Sequence, residues 1–351
     1  MKKILFFILY TAAATFFAGC AKTEATGPND ANKRFFDAWL HVNHPDAQKT
    51  GIGTYILEES AGDGETVKAN GYAFVDCITS DLNGNISAYT DSVTAAMLGT
   101  YKPSTYYGAK VWSTYDGNIL AGVRDAVIGM KVGGRRKIAV PNWMMTYKSF
   151  ATEAEYLANS TDYSAAIYEF TIRDFTTDMA QWQIDSIGNF FRNESILIGG
   201  MPAKDVFNGM TAADSVQYGV YYKGTEIPEN PVSFSSDTDT TIYINYTGRL
   251  LNGKVFDTTI ERTAIDNEIH SEGKTYAPAE VKWGTTYSEI TLNGSTVISG
   301  FALTLWQMHA GEKGVGVFTS GYGYSNSGSG SSIPAYAPLI FEIEIVDKPE
   351  E

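Results

Sequence analysis

A chain of 351 residues is long enough for two domains with cores of their own, and its 44% hydrophobic, 13% aromatic and 19% charged residues suit a folded globular protein. The formal net charge of −14 argues against a nucleic-acid partner, because a duplex repels such a surface, and equally against an anionic membrane face.

In chain order, Lys2 and Lys3 precede an apolar run from Ile4 to Phe17, and Phe17-Ala18-Gly19-Cys20 closes it with small residues before a cysteine. The run is shorter than the ~20 apolar residues that a membrane span needs. Residues 1–20 resemble a bacterial lipoprotein signal peptide, with Phe17 where leucine is usual. The resemblance implies that Cys20 becomes a lipidated N-terminus, anchoring the protein in the bacterial cell envelope at the periplasmic or surface face of the outer membrane. Cys77 is then the remaining thiol, so no intramolecular disulfide is expected.

Residues 21–45 read as a small, polar tether followed by a short helix with Phe35, Trp39 and Leu40 on its apolar face. His41 and His44 have no ligand partner at a recognisable spacing and read as a surface turn; no metal or cofactor is expected. Residues 46–176 are β-patterned: Thr54 to Leu57, Tyr72 to Ile78, Trp112, Ile138 to Val140 and Ile167 to Phe175 alternate between Gly-rich turns. Residues 177–210 form a connector whose helix, Asp178 to Phe191, carries Met179, Trp182, Ile187 and Phe190 on one stripe. The β pattern returns in 211–351, with strands at Tyr218 to Tyr222, Thr241 to Tyr246, Val315 to Thr319 and Leu339 to Val346. The last strand turns Leu339, Phe341, Ile343 and Ile345 inward.

The two β regions repeat each other. Gly300, Met308 and Gly311 align with Gly122, Met130 and Gly133; Phe341 to Asp347 align with Tyr168 to Asp174; and Leu251-Asn252-Gly253 aligns with Leu82-Asn83-Gly84. The fold class is α+β, one fold used twice.

Familiar catalytic machinery is missing. No G-x-S-x-G elbow occurs, the four histidines are scattered, and the glycine-rich run from Gly321 lacks a Gly-Lys-Ser/Thr ending, so it reads as a mobile loop. What stands out is YINYTGRLLNGKVFD, from Tyr243, in which alternation points Tyr246 inward and Phe256-Asp257 follows the Asn252-Gly253 turn. Together with Val297-Ile298-Ser299-Gly300-Phe301, QMHAGEK from Gln307, Tyr322-Gly323, and Ile333-Pro334 leading into Leu339-Ile340-Phe341-Glu342, these motifs resemble the FKBP-type peptidyl-prolyl cis-trans isomerases over most of residues 216 to 347.

The resemblance implies two domains of one kind, each an antiparallel sheet curled around a short helix, with a site between helix and sheet in the C-terminal one. Tyr246, Asp257, Tyr322 and Phe341 would be its catalytic positions, and Phe256, Arg262, Val297, Ile298, Phe301 and Ile333 would bind substrate. Arg262 would pair with Asp257, and Phe301 stands in for the family's tryptophan floor. Tyr322 precedes a glycine as the loop tyrosine should, whereas counting back from Pro334 gives Tyr324. Residues 263–287 look like an insertion, leaving Ser288 and Ile290 where aromatics are expected. In the first repeat Cys77, Ser87 and Ala88 replace Tyr246, Phe256 and Asp257, so that copy is expected to lack activity and to serve as spacer, assembly surface or cradle. The implied function is isomerisation of proline-containing polypeptide clients in the envelope. The alternatives are a non-catalytic polypeptide-binding chaperone or scaffold, and, on exposed aromatics alone, a glycan binder.

Overall fold

The computed structural model describes residues 29–159, 163–211, 219–234 and 240–350; Cys20 and the rest of residues 1–20, expected to be a signal peptide, lie outside them. Helix α1, Asp30–Asn43, is longer than its apolar pattern suggested, and it buries Phe36 and Leu40. Phe35, expected inside, is 66% exposed, because Phe36 is the ring one turn before Leu40.

The first sheet contains β1 (Gln48–Lys49), β2 (Tyr55–Ser60), β3 (Tyr72–Ser80), β4 (Ile86–Tyr89), β5 (Lys110–Ser113), β6 (Arg135–Val140) and β7 (Ala166–Thr176). Its order is β1-β2-β6-β7-β3-β4, with β5 also on β3. Three short helices interrupt it: α2 (Ser92–Met97), α3 (Ala121–Val127) and α4 (Glu153–Asn159). Ala121, Val123, Ala126 and Val127 of α3 lie in the same core as Ile138, Phe170 and Ile172 of the sheet.

The connector helix α5, Met179–Phe190, starts where Asp178 accepts a hydrogen bond from Gln181 N at 3.0 Å. Its Ile187 and Phe190 join Phe191, Phe207, Val317 and Ile340 in one cluster, so the connector is packed against the second sheet rather than loosely strung. A hairpin of β8 (Leu197–Ile198) and β9 (Met201–Pro202) and the turn α6 (Ala203–Val206) complete it.

The second sheet comprises β10 (Tyr221–Glu226), β11 (Thr241–Leu250), β12 (Val255–Thr258), β13 (Ala279–Lys282), β14 (Thr291–Leu292), β15 (Ser295–Thr296), β16 (Lys313–Phe318) and β17 (Leu339–Val346). Its order is β10-β16-β17-β11-β13-β14-β15, with β12 also on β11. Helix α7 is Glu261–Asp266, and α8, Ser299–Trp306, buries Phe301, Ala302, Leu303 and Leu305 beneath the sheet.

Six strands of one sheet follow the order of six in the other, and around the centre of β3 and β11 the register agrees. Cys77 pairs with Phe170 and Thr79 with Tyr168, just as Tyr246 pairs with Ile343 and Gly248 with Phe341. Cys77 N donates to Thr90 Oγ1 at 2.9 Å and Tyr246 N to Thr259 Oγ1 at 2.9 Å. Lys102 N donates to the Tyr107 hydroxyl and Ser271 N to the Tyr276 hydroxyl, each at 3.0 Å. Residues 72–113 and 241–282 thus correspond without a gap, so most of 263–287, read as an insertion into the family pattern, is shared by both repeats. Most of that stretch is α7, the loop after it and β13, all present in the first repeat as α2, a loop and β5. The extra residues come later, and include the small β14–β15 hairpin.

Cys77 is half-buried under this register, and burial pushes its thiol up to about 11 from 9.0. Because the folded value lies above the unfolded one, this burial stabilises the fold below about pH 9 and ceases to do so as pH rises through about 11. In a Cys20→Ser chain, alkylation of the folded protein at pH 8 should run roughly a hundredfold slower than that of a free thiol. A rate equal to that of the urea-unfolded chain would refute it.

Candidate active site

Strand β11 supplies the centre. Tyr246 sits where backbone bonds clamp it on both sides: its N–H donates to Thr259 Oγ1 at 2.9 Å, and its carbonyl accepts from Thr259 N at 3.0 Å and Thr258 Oγ1 at 2.9 Å. The side chain then points over α8, and its hydroxyl donates to Asp257 Oδ2 at 2.7 Å. Burial, followed by the Asp257 carboxylate, holds the Tyr246 phenol well above its ordinary value, so it stays a hydrogen-bond donor.

Beneath Tyr246 lies an aromatic floor. Phe301 meets Phe341 edge-on at 5.0 Å and Tyr246 edge-on at 5.5 Å; Phe256 meets Phe341 at 5.6 Å. Such edge-to-face pairs are the favoured arrangement of ring quadrupoles. Phe318 lies parallel to Phe341 at 5.9 Å and closes the far side. Gly248 makes the packing possible, for a Cβ there would stand 2.6 Å from the Phe256 ring and 3.0 Å from Phe341. The first repeat has Thr79 at that register position, which agrees with its loss of the facing ring.

Floor and rim differ in exposure. Phe301, Phe341 and Ile333 are buried, whereas Tyr246, Phe256, Asp257, Val297, Ile298 and Tyr324 are half-buried around them. The result is an aromatic cluster with a buried apolar floor and a partly exposed rim, where a phenol and a carboxylate stand. Ile298 stands immediately before α8, its carbonyl accepting from Phe301 N and Ala302 N at 3.1 Å.

Two sequence expectations are corrected. Arg262 does not pair with Asp257: it is bound to Asp266 one turn along α7 at 2.8 Å, with 80% of its side chain exposed. The cation on Asp257 is Lys274, which reaches Oδ1 from the loop after α7, while Thr258 N donates to the same oxygen at 2.9 Å. Asp257 is therefore held from three sides. Tyr322 is not the loop tyrosine of the hollow, since its ring lies over Gly219, where a Cβ would come within 2.1 Å of it. Tyr324 is the one packed with the site, and burial together with the charge of Asp257 raises its phenol.

The glycine-rich run is also not loose. Ser325 N donates to Ser320 O at 2.7 Å, Gly328 N to Tyr324 O at 3.1 Å, and Tyr336 N to Ser325 O at 2.8 Å, folding residues 320–338 into a compact loop over one side of the hollow. No group of three or more potential metal-ligating side chains occurs among the described residues. Nothing in the spacing around Lys274 marks it in the sequence; the repeat signal that locates its loop is the match of Tyr276 to Tyr107.

Comparison with known proteins agrees with this geometry. The family model described as FKBP-type peptidyl-prolyl cis-trans isomerase matches residues 233–346. The chain is 34% identical over 124 residues to FK506-binding protein 1A of Aspergillus fumigatus, spanning 35% of this chain and 90% of that protein. It is 27% identical over 139 residues to FK506-binding protein 2 of Dictyostelium discoideum, spanning 40% of this chain and 84% of that one. A crystal structure of the three FKBP domains of wheat FKBP73 aligns over 84% of this chain and 94% of that chain, at 16% identity and a TM-score of 0.27. A relative covered nearly end to end at 34% identity, and a family model that matches the residues of the aromatic cluster, lead to one conclusion: the chain belongs to the FKBP-type peptidyl-prolyl cis-trans isomerases and is an isomerase of that type through its C-terminal region.

Proposed function

We propose that the hollow beneath Tyr246 is where an X-Pro bond of an unfolded or partly folded client is isomerised. Rotation of an amide costs ~18–20 kcal/mol because planar resonance is lost, so a site that binds the twisted bond better than the planar one accelerates exchange without a nucleophile. The proline ring lies on Phe301 and Phe341, between Phe256, Val297, Ile298 and Ile333. Apolar walls suit a twisted amide, whose dipole has shrunk. Tyr246, Tyr324 and the amide of Ile298 donate to client carbonyls, and Asp257, fixed by Lys274, orients Tyr246 and never attacks. The observation that carries this reading is the convergence of Tyr246, Asp257 and Tyr324 on the Phe301–Phe341 floor.

The same reading gives the chain a signal peptide at 1–20, a tether at 21–45, a degenerate FKBP-like domain at 46–176, a connector at 177–210 and the isomerase domain at 211–351. The first domain is inactive, having Cys77, Ser87 and Ala88 for the phenol, the ring and the acid. With lipid on Cys20, the protein acts on envelope or secreted proteins and not on nucleic acid.

A protease-coupled proline-peptide assay on the full chain without its signal peptide tests this. The uncatalysed exchange takes tens of seconds or longer, so catalysis is easily seen. All of the rate should depend on the C-terminal hollow. A full chain that suppresses aggregation of an unfolded protein yet leaves the peptide rate unchanged would establish a holdase instead.

A further inference from the structure

The compact loop over the hollow has a second face, and that face rests on the N-terminal repeat. Tyr106, in the loop before β5, donates its N–H to Ser331 O at 2.7 Å, and its ring packs against the same core that contains Ile333, Ala337, Tyr324 and Tyr246. Thr105 Oγ1 approaches Ser331 Oγ at 3.4 Å. Tyr336 has φ +61°, a left-handed conformation that a tyrosine adopts only when its surroundings hold it there. What holds it is Tyr72 at the start of β3, whose ring meets Tyr336 near-perpendicular at 5.4 Å and is itself backed by Tyr115 at 5.7 Å. A further tie joins Lys254, in the turn leading to β12, to the carbonyl of Pro103.

We infer that Tyr72 and Tyr106 are positioning residues for the isomerase: the repeat without a site braces the loop that carries Tyr324 and Ile333 over Tyr246 and Phe341. The repeat register strengthens the inference. Tyr72 and Tyr106 correspond to Thr241 and Thr275 of the second copy, so the first copy has aromatic rings for docking where the active copy has small polar side chains. The brace deepens the isomerase reading and rests on it for its kinetic consequence, though its structural part can be read independently.

Hydrogen exchange in the full chain separates the two. In a Tyr72→Ala/Tyr106→Ala double variant, protection at the amides of Gly328, Ser329, Ile333 and Tyr336 should fall about tenfold, the scale of a lost ring pair. Protection in β6 and β7 should be kept as the control for folding. Tyr72→Phe, which retains the ring, should keep most of it. In the coupled assay the double variant should raise KM about fivefold with little change in kcat, because a looser loop costs binding before it costs chemistry. Unchanged protection of those four amides in a folded double variant overturns the inference. Increased exchange in a chain whose wild type shows no isomerase rate would keep the brace and reject the isomerase reading.

Discussion

Phe341→Ala should cost the most of any single change in the hollow, about 3–5 kcal/mol of stability and at least a hundredfold in kcat/KM. Phe341 is 5% exposed and is the ring on which Phe256, Phe301, Phe318 and Tyr246 all converge, at 5.6, 5.0, 5.9 and 6.2 Å. Removing it leaves a void lined by rings that are fixed to four different elements and so cannot collapse together. Urea unfolding of the full chain reads the first effect, and the coupled assay under conditions where the variant is still folded reads the second. Phe341→Leu separates them: it refills much of the void and should recover over half of the lost stability, yet it restores little of the rate, since a branched aliphatic chain does not offer the flat floor. Recovery of both together would mean that Phe341 is core and nothing more.

Asp257→Ala should lower kcat/KM roughly thirtyfold while changing stability little, for the carboxylate is at the rim and 39% exposed. The reasoning runs through Tyr246. Without Asp257 its hydroxyl loses the 2.7 Å acceptor that fixes its direction, and Lys274 loses its anion. Tyr246→Phe removes the donor itself and should cost a similar factor. Because both changes disable one unit, the double variant should be little worse than either single one. Full additivity would show that the pair does not act together. No residual rate from the first repeat should mask these losses, as Cys77 and Ala88 occupy its corresponding positions.

Much of this was legible in the sequence. Alternation in Leu339 to Val346 foretold β17 and its buried face, and the Leu-Asn-Gly and Gly-Met-Gly matches foretold two sheets of one order. Tyr246, Phe256, Val297, Ile298, Phe301, Ile333 and Phe341 belong to one apolar cluster, with Asp257 bonded to Tyr246 at its edge, and the strand and helix periods of Tyr246, Phe256, Phe301 and Phe341 fix their directions. The failures share a different property. Arg262 and Lys274 sit on a short helix and in a loop, where spacing along the chain does not say which long side chain reaches Asp257. Tyr322 and Tyr324 are separated by one residue, and the choice between them was made by a contact with Gly219, about a hundred residues away in sequence. The stretch 263–287, which departs from the family pattern, is helix, loop and strand, and most of it recurs in the chain's own first half.

The ends of the two sheets bear on how this protein would meet the unfolded client proposed for it. Strands β1 and β15 are two residues long, and β10 breaks its register between Gly224 and Glu226. An extended client therefore finds few consecutive free peptide groups along these margins with which to grow a continuous ladder. Short and broken end strands of this kind lower the tendency of a sheet to pair edge to edge with another chain.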